Sequence, residues 1–244
     1  MKTIILLTGV ANQQFALTEL LKAHNPALSF RCAVTADELA AIEPEVLREA
    51  RLLAFTTSVI VPEHILATLG HGAYNFHPGP PQYPGWAPAH FALYDGARTF
   101  GATAHVMAAR VDSGPIVGVE TFIIPDKISV RGLEQIAYVR LAHLFWRMSR
   151  DLACNPMPLA ELEIAWCGIK STRRMYREMC ELPTGINPSE LARRIRAFHD
   201  DFRDIPLTCS LTCSLHGIRF QLETTTTQAP GAPQVVSPPL AAAS

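Results

Sequence analysis

The sequence has no apolar run long enough to cross a membrane and no excess of charge of one sign. None of its hydrophobic stretches approaches the roughly 20 residues that a membrane-spanning helix needs. The 244 residues include 21 Lys and Arg against 22 Asp and Glu, which gives a formal net charge of −1. A chain with that balance does not bind polyanions by its overall charge, which disfavours nucleic acid as a partner. With 48% apolar and 18% charged residues, the composition also excludes a mostly disordered chain.

Signals for secretion and for cross-linking are also missing. The apolar run at residues 4–7 is interrupted by Thr8 and Gly9, so it is shorter than the roughly 7–15 residues of a signal peptide and is predicted to be a buried strand. The six cysteines form no CxxC pair, and the two nearest to each other, Cys209 and Cys213, have only His216 close by as a further ligand. We therefore expect free thiols, no metal site and a cytoplasmic protein.

Strand and helix patterns alternate through the first 150 residues. Thr35 and Glu38 are spaced as a capping box at the start of the second helix. The alternation predicts an α/β fold of βαβ units with a mostly parallel, Rossmann-like sheet, in which a functional site forms at the carboxyl ends of strands. Strands are predicted over residues 3–7, 28–34, 52–56, 73–76, 103–109 and 115–124, and helices over 13–23, 35–50, 63–69, 89–95 and 130–152.

A proline-rich segment interrupts this alternation. Residues 77–88 hold five prolines and two glycines. Neither a helix nor a central strand tolerates that composition, which predicts an ordered loop.

The pattern changes again after residue 155. Residues 156–222 are predicted to form a small C-terminal α+β appendage, with a helix over 188–199 and strands over 207–211 and 217–222. Those strands could form an edge that pairs with a second subunit in a homodimer. Residues 223–244 lack the aromatic and branched side chains needed for packing and are predicted to be a disordered tail. The remaining residues, 1–155, form the main predicted domain.

Three polar side chains follow predicted strands of the sheet. Asn75 and His77 are two residues apart at the end of a short strand, so they point to the same side, and Asp112 follows the predicted strand 103–109. An Asn amide can donate to a carbonyl oxygen, and a His near a carboxylate can stabilise an oxyanion and move protons near pH 7. With no Ser or Cys in the set, it suits direct acyl transfer to an external nucleophile. The same residues could instead serve only the loop backbone, as an Asx-type turn or a strand end commonly does.

Four short segments surround these residues: Asn75-Phe-His77-Pro78, Tyr83-Pro84-Gly85, Gly101-Ala-Thr103-Ala-His105-Val106 and Val111-Asp112-Ser-Gly114-Pro-Ile-Val117. In order and spacing they resemble the 10-formyltetrahydrofolate-dependent formyltransferases, a family that includes phosphoribosylglycinamide, methionyl-tRNA and nucleotide-sugar N-formyltransferases. The resemblance is clear over residues 52–120 and extends through 1–155 in the order of elements. It implies a formyltransferase catalytic domain over residues 1–155.

The resemblance also implies roles for individual residues. His77 would polarise the formyl oxygen and stabilise the oxyanion, Asn75 would donate to the same oxygen, and Asp112 would orient His77 and help to take the proton from the attacking amine. The folate would be gripped by two apolar segments, through Val59 and Ile60 ahead of Pro62 and through a second group that precedes Asp112. That second group consists of Met107, Ala108 and Arg110.

The acceptor is less clearly indicated. The first turn, Gly9-Val10-Ala11-Asn12, has one glycine and no basic residue, which argues against a ribose-phosphate substrate. Residues 191–198 are similar to the linker helix of the methionyl-tRNA and sugar enzymes. About 45 residues follow this segment, too few for a tRNA-binding barrel, which argues against methionyl-tRNA.

A basic stretch adds one open question. Lys170, Arg173, Arg174 and Arg177 are spaced to share one face of a helix. That face could hold a phosphate, the glutamate tail of a folate or tRNA, or it could be solvated surface.

The resemblance thus implies a folate-dependent N-formyltransferase of one-carbon metabolism. It would transfer the formyl group of 10-formyltetrahydrofolate to a primary amine of a small molecule, such as a nucleotide-linked amino sugar. Two alternatives stay open: a 10-formyltetrahydrofolate hydrolase that releases formate, and a folate-binding module without turnover.

Overall fold

A mixed six-stranded sheet forms the centre of the molecule, whose computed structural model describes residues 1–199 and 211–222. Its strands run in the spatial order β2-β1-β3-β4-β5-β6. They are β1 (Thr3–Thr8), β2 (Ser29–Ala33), β3 (Ala50–Phe55), β4 (Ala73–His77), β5 (Thr99–Val106) and β6 (Ile116–Ile123). The pairs β1–β2, β1–β3 and β3–β4 are parallel, whereas β5 runs antiparallel to both β4 and β6.

Helices cover the sheet, and a second sheet lies beyond them in the chain. The helices are α1 (Asn12–His24), α2 (Ala36–Ala40), α3 (Pro44–Arg48), α4 (Glu63–Thr68), α5 (Pro88–Asp95), α6 (Val130–Cys154), α7 (Arg173–Cys180) and α8 (Pro188–Phe198). The second sheet has the order β7-β8-β9 and consists of β7 (Glu181–Leu182), β8 (Thr212–Leu215) and β9 (Ile218–Gln221). None of the helices in the described ranges combines the length and apolar character that a membrane span needs.

Two apolar clusters sandwich the large sheet. On one side, α1 and α6 pack on the strands through residues such as Leu21, Phe145 and Phe76. A second cluster joins Leu52 of β3 with Ile65 of α4. β1 and β3 are buried along their whole lengths, and apart from Arg51 and the terminal threonines of β1 their residues are apolar, as in strands that are covered on both faces.

A third cluster connects the main sheet to the C-terminal elements. Phe100 of β5 and Leu133 of α6 pack with Tyr176 of α7 and Phe198 of α8, all of them buried. The appendage predicted over residues 156–222 therefore shares a core with residues of the main domain. The boundary at residue 155 stays a prediction, and the tail at 223–244 lies outside the described residues.

The prediction of one helix over residues 35–50 is wrong. The capping box at Thr35 and Glu38 is present, but the helix it opens ends at Ala40. Pro44 then begins a separate helix, because a proline inside a helix lacks the N–H and clashes with the preceding turn.

The prediction for β5 is shifted, and its direction differs from the parallel pattern. The strand spans Thr99–Val106 rather than 103–109, because the register pairs Val106 with Tyr74, near the start of β4, and leaves little of β4 to pair beyond it. In the appendage, β9 confirms the strand predicted over 217–222. The strand predicted over 207–211 lies outside the described residues apart from Leu211, which is not in a strand.

Candidate active site

Neighbouring strands β4 and β5 bring three polar side chains to one face of the sheet. Asn75 and His77 share a face because they are two residues apart on β4. His105 on β5 lies opposite Asn75 in the register, and the pairing of β5 with β6 shifts register between Ala104 and His105. The Asn75 amide nitrogen and His105 Nε2 are 3.1 Å apart.

Asp112 reaches the same face through a tight turn. The backbone at Asp112 is left-handed, with φ of 48°, and the Ser113 hydroxyl donates to the carbonyl of Arg110. A side chain at Gly114 would collide with the carbonyl of Val106, so only glycine fits there. The structure places Asp112 beside His77 and His105, and Asn75 beside His105, but not through the carboxyl ends of parallel strands. Because β5 is antiparallel to β4, the loop after it has to fold back over the sheet.

The Asp112 carboxylate is buried among three partners. Its Oδ2 accepts a hydrogen bond of 2.8 Å from the Gly85 amide and lies 3.6 Å from His77 Nδ1, and its Oδ1 lies 3.3 Å from His105 Nε2. Burial alone would raise the pKa of this carboxyl. The contact from His105, the nearby imidazoles and the Gly85 amide outweigh burial and lower the pKa to about 2. Asp112 is therefore a permanent anion near neutral pH.

His77 has a fixed tautomer. A carbonyl can only accept, so the 3.2 Å contact with the Tyr83 carbonyl places the hydrogen on Nε2. The other ring nitrogen, Nδ1, then faces Asp112. The imidazole is 6% exposed, and burial lowers its pKa although Asp112 opposes that effect. The Tyr83 carbonyl holds one side of the ring and Asp112 lies 3.6 Å from the other, so the orienting role that the resemblance implied for Asp112 stays a prediction.

His105 is a site residue that the sequence reasoning missed. Its Nδ1 lies 2.9 Å from the carbonyl of Val106, and its Nε2 lies between Asn75 and Asp112. The residue was visible in the segment Gly101–Val106, but only the register of β4 against β5 shows that it faces Asn75.

One cavity of about 750 Å³ is lined by every predicted site residue. Asn75, His77 and Asp112 line it, and so do the five residues assigned to the folate: Val59, Ile60, Met107, Ala108 and Arg110. Val59 and Met107 pack on the sheet's apolar core, whereas Ile60 is largely exposed at the rim. A cavity with apolar walls and a few convergent polar groups suits a flat heterocycle that carries a reactive group.

Some side chains of the basic stretch line this cavity and others are exposed to solvent. Lys170 and Arg173 line the cavity, and Arg173 lies over the ring of Trp86 at 4.3 Å. Arg174 pairs with Glu178 on the exposed side of α7. Lys170 does not share a helical face with the arginines, because α7 begins only at Arg173, and Lys170 Nζ donates to the carbonyl of Val111.

The arrangement can bind and stabilise a reacting carbonyl. An Asn75 amide hydrogen can donate to its oxygen, and the neutral His77 Nδ1 beside a fixed carboxylate can take up a proton. Within residues 1–199 and 211–222, no group of three or more His, Cys, Asp or Glu side chains is placed to hold a metal ion.

Comparisons with known proteins point to one family. The model of the formyl transferase family matches residues 19–137. A methionyl-tRNA formyltransferase of Listeria monocytogenes is 30% identical over 138 residues, which cover 52% of this chain and 42% of that protein. The chain thus spans about two fifths of the length of that curated relative.

Solved structures share the fold over almost the whole chain. A sugar N-formyltransferase from a Shewanella species has a TM-score of 0.73 at 14% identity and covers 94% of this chain and 99% of its own. An N-formyltransferase from Helicobacter canadensis, in complex with folinic acid and dTDP-3-aminofucose, has a TM-score of 0.62 at 14% identity and covers 89% and 85%. At these identities the likeness shows the Rossmann-like fold alone.

Proposed function

Residues 19–137 belong to the formyl transferase family, and from that premise we propose that the chain transfers a formyl group from 10-formyltetrahydrofolate to a primary amine of a small molecule. The observation that carries the proposal is the single cavity in which Asn75, His77 and Asp112 meet the two apolar segments assigned to the folate. The formyl donor is a substrate here, consumed in each turnover.

Each of the three polar residues has a separate role in the transfer. Asn75 donates an amide hydrogen to the formyl oxygen and so supports the oxyanion that forms when the amine attacks the formyl carbon. His77 Nδ1 accepts a proton from the attacking nitrogen, because its own hydrogen is on Nε2 and is held by Tyr83. Asp112 stabilises the resulting imidazolium from 3.6 Å.

The same proton completes the reaction. The imidazolium Nδ1–H donates to the oxyanion and then passes its proton to N10 of the folate as the bond between the formyl carbon and N10 breaks. One N–H of the amine is thereby exchanged for one N–H of tetrahydrofolate, and His77 returns to its neutral form. Asp112, with a pKa of about 2, is too weak a base to keep the proton.

For the acceptor we propose an amino sugar linked to a nucleoside diphosphate. Lys170 and Arg173 add two positive charges to the cavity, and the Trp86 ring beneath Arg173 offers an aromatic surface. The Helicobacter canadensis enzyme of the same fold was crystallised with dTDP-3-aminofucose. Charged phosphates and a flat base suit such a lining.

A turnover assay tests the proposal. Tetrahydrofolate is measured after incubation with 10-formyltetrahydrofolate, with and without a panel of amines that includes dTDP- and UDP-linked amino sugars. We expect release only with an amine and a loss of roughly 100- to 1,000-fold in His77→Asn, since one oxyanion-type interaction is worth about 2.7–4 kcal/mol. His64→Asn, an exposed histidine on α4, is the matched control and should keep full activity.

Two other results would contradict formyl transfer. Release of tetrahydrofolate and formate without any amine would identify a hydrolase. Tight folate binding with no release on any acceptor of the panel would identify a binding module.

A further inference from the structure

A segment outside the predicted site connects the proline-rich loop, which supplies the Gly85 amide, to the chain around the turn that carries Asp112. Residues 162–171, between α6 and α7, are here called the strap. The Leu162 amide donates to the Ile116 carbonyl at 2.7 Å, and the Cys167 amide donates to the Pro81 carbonyl at 3.0 Å. At the end of the strap, Ser171 donates its amide to the Pro84 carbonyl at 3.0 Å. The strap therefore joins the proline-rich loop after β4 to the chain around the Asp112 turn.

Trp166 is the strap residue whose ring contacts both histidines of the site. Its ring lies edge-to-face with the imidazole of His77, at a centroid distance of 5.9 Å and an angle of 73°. It makes the same kind of contact with His105, at 5.0 Å and 85°. Its indole N–H donates to the carbonyl of Gly114 at 2.8 Å, two residues after Asp112. One side chain thus touches both histidines and the turn that presents the carboxylate.

We propose that Trp166 is a positioning residue of this site, whose ring excludes water from His77 and whose N–H fixes the Asp112 turn against the histidines. The proposal rests on the proposed function, because it assigns Trp166 to the same formyl-transfer site.

The two parts of the side chain have separable effects. The ring removes solvent from one side of the His77 imidazole, which disfavours the charged form. The charged or titratable groups that act on His77 are Asp112 from the turn and His105 from β5. The strap also carries Lys170, whose Nζ donates to the Val111 carbonyl. Asp112 favours protonation of His77, so loss of the ring lets water join Asp112 in stabilising the imidazolium. The hydrogen bond to Gly114 acts on the position of Asp112 instead.

A matched pair of variants separates these effects. Trp166→Phe keeps a ring but lacks the N–H, whereas Trp166→Gln keeps an N–H donor but lacks the ring. The full chain is labelled at its histidine rings, and the titration of His77 is followed by NMR, with His77→Asn used to assign its signal. This measurement needs neither folate nor acceptor. The pH dependence of kcat/KM is then measured for turnover.

We expect the pKa of His77 to depend on whether an aromatic ring is present at position 166. In Trp166→Gln the pKa of His77 should rise, and the acid limb of kcat/KM should move to higher pH by the same amount. In Trp166→Phe neither should move, but kcat should fall about five-fold through loss of the hydrogen bond. Trp146→Phe is the control, because Trp146 is 59% exposed on α6 and stacks on His143.

The proposal is overturned if His77 titrates alike in the wild type and Trp166→Gln, or if the two variants change the titration equally. The NMR result stands whether or not turnover is seen. A failed turnover assay alongside a shifted titration would reject formyl transfer and leave the role of Trp166 intact.

Discussion

At the scale of single residues, the site works through one permanent charge and one titrating ring. Asp112 is buried yet ionised, because the Gly85 amide and the two imidazoles compensate its burial. His77 is buried and mainly neutral near pH 7, because burial lowers its pKa. A fixed anion beside a neutral imidazole can stabilise the imidazolium at the moment it forms, which is what proton uptake from an amine requires.

Replacement of Asp112 by Asn tests the charge alone. The amide oxygen of Asp112→Asn can still accept from Gly85, so the shape of the turn is kept while the negative charge is lost. We expect kcat to fall by roughly 100- to 10,000-fold, the range for loss of acid–base assistance. The acid limb of kcat/KM should also move to lower pH, because the charge of Asp112 raises the pKa of His77.

Asp126→Asn provides the control, since Asp126 is exposed after β6. A variant of Asp112 with unchanged kcat, or with an acid limb shifted to higher pH, would show that the carboxylate does not act on His77.

Some residues of this site can be predicted from the sequence and others cannot. Asn75, His77 and Asp112 stand out because Asn-x-His ends a strand and an Asp begins a turn, and all three line the cavity. His105 and Trp166 do not stand out in this way. Their roles depend on the β4–β5 register and on a strap that returns to the site some 50 residues after Asp112, and neither relation is local in the chain.

At the scale of elements, backbone hydrogen bonds connect the strap to the proline-rich loop. Gly85 has φ of 96°, and a side chain there would collide with the carbonyl of Ser171, which also accepts the amide of Trp86. The Gly85 amide is the donor to Asp112. Gly85 therefore allows the close approach of the strap and also donates the hydrogen bond to the Asp112 carboxylate.

Gly85→Ala should lower both the stability of the fold and the rate of turnover. We expect a loss of roughly 1–3 kcal/mol in the free energy of unfolding from the strained backbone alone, and a fall in kcat as the amide moves away from Asp112. Urea denaturation and the turnover assay measure the two effects. Gly185→Ala is the matched control, because a side chain at Gly185 meets no atom within 4 Å. Equal stability of the two variants would contradict the role given to Gly85.

Sequence patterns predict most elements but not their ends. The α6 helix and β1 are long or strongly apolar, so periodicity finds them within a residue or two. The end of β5 is set by where β4 begins, and the break between α2 and α3 follows from Pro44, whose effect outweighs the helical pattern around it. Long-range pairing and single prolines are therefore the points at which local patterns fail.

At the scale of the whole molecule, the third apolar cluster joins early and late parts of the chain. His90 of α5 is buried in it, with its ring against those of Tyr176 and Phe198 and its Nδ1 3.9 Å from Glu134. Burial lowers the pKa of His90 to about 4.

Stability should therefore depend on pH through His90. Above pH 6.5 the histidine is neutral in both the folded and the unfolded chain. Between pH 6.5 and about 4 the unfolded chain binds a proton that the folded one does not, so the free energy of unfolding should fall as the pH is lowered. The shift corresponds to about 3 kcal/mol at most.

The measurement is urea denaturation at pH 7, 6, 5 and 4.5. His90→Gln should give a shallower decline with falling pH than the wild type, whereas the exposed His64→Gln should leave the slope unchanged. An identical slope for His90→Gln and the wild type would show that His90 does not resist protonation in the folded protein.

The overall topology could be predicted only in part. Alternating strands and helices predict an α/β sheet, and the first four strands in space are parallel as expected. That β5 runs opposite to the other five strands of this sheet is not visible in the pattern, because α5 between β4 and β5 resembles an ordinary crossover helix. This reversal brings His105 and the Asp112 turn onto the face that carries His77.

The central claim is that this cavity presents a formyl group to Asn75 and His77. A crystal structure of the chain with 5-formyltetrahydrofolate, a stable isomer of the donor, tests it most directly. The account predicts the heterocycle between residues 58–61 and 107–110, with the reacting end of the folate directed at Asn75 and at His77 Nδ1. A folate bound elsewhere, or one whose heterocycle lies against Lys170 and Arg173 with its reacting end away from His77, would contradict it.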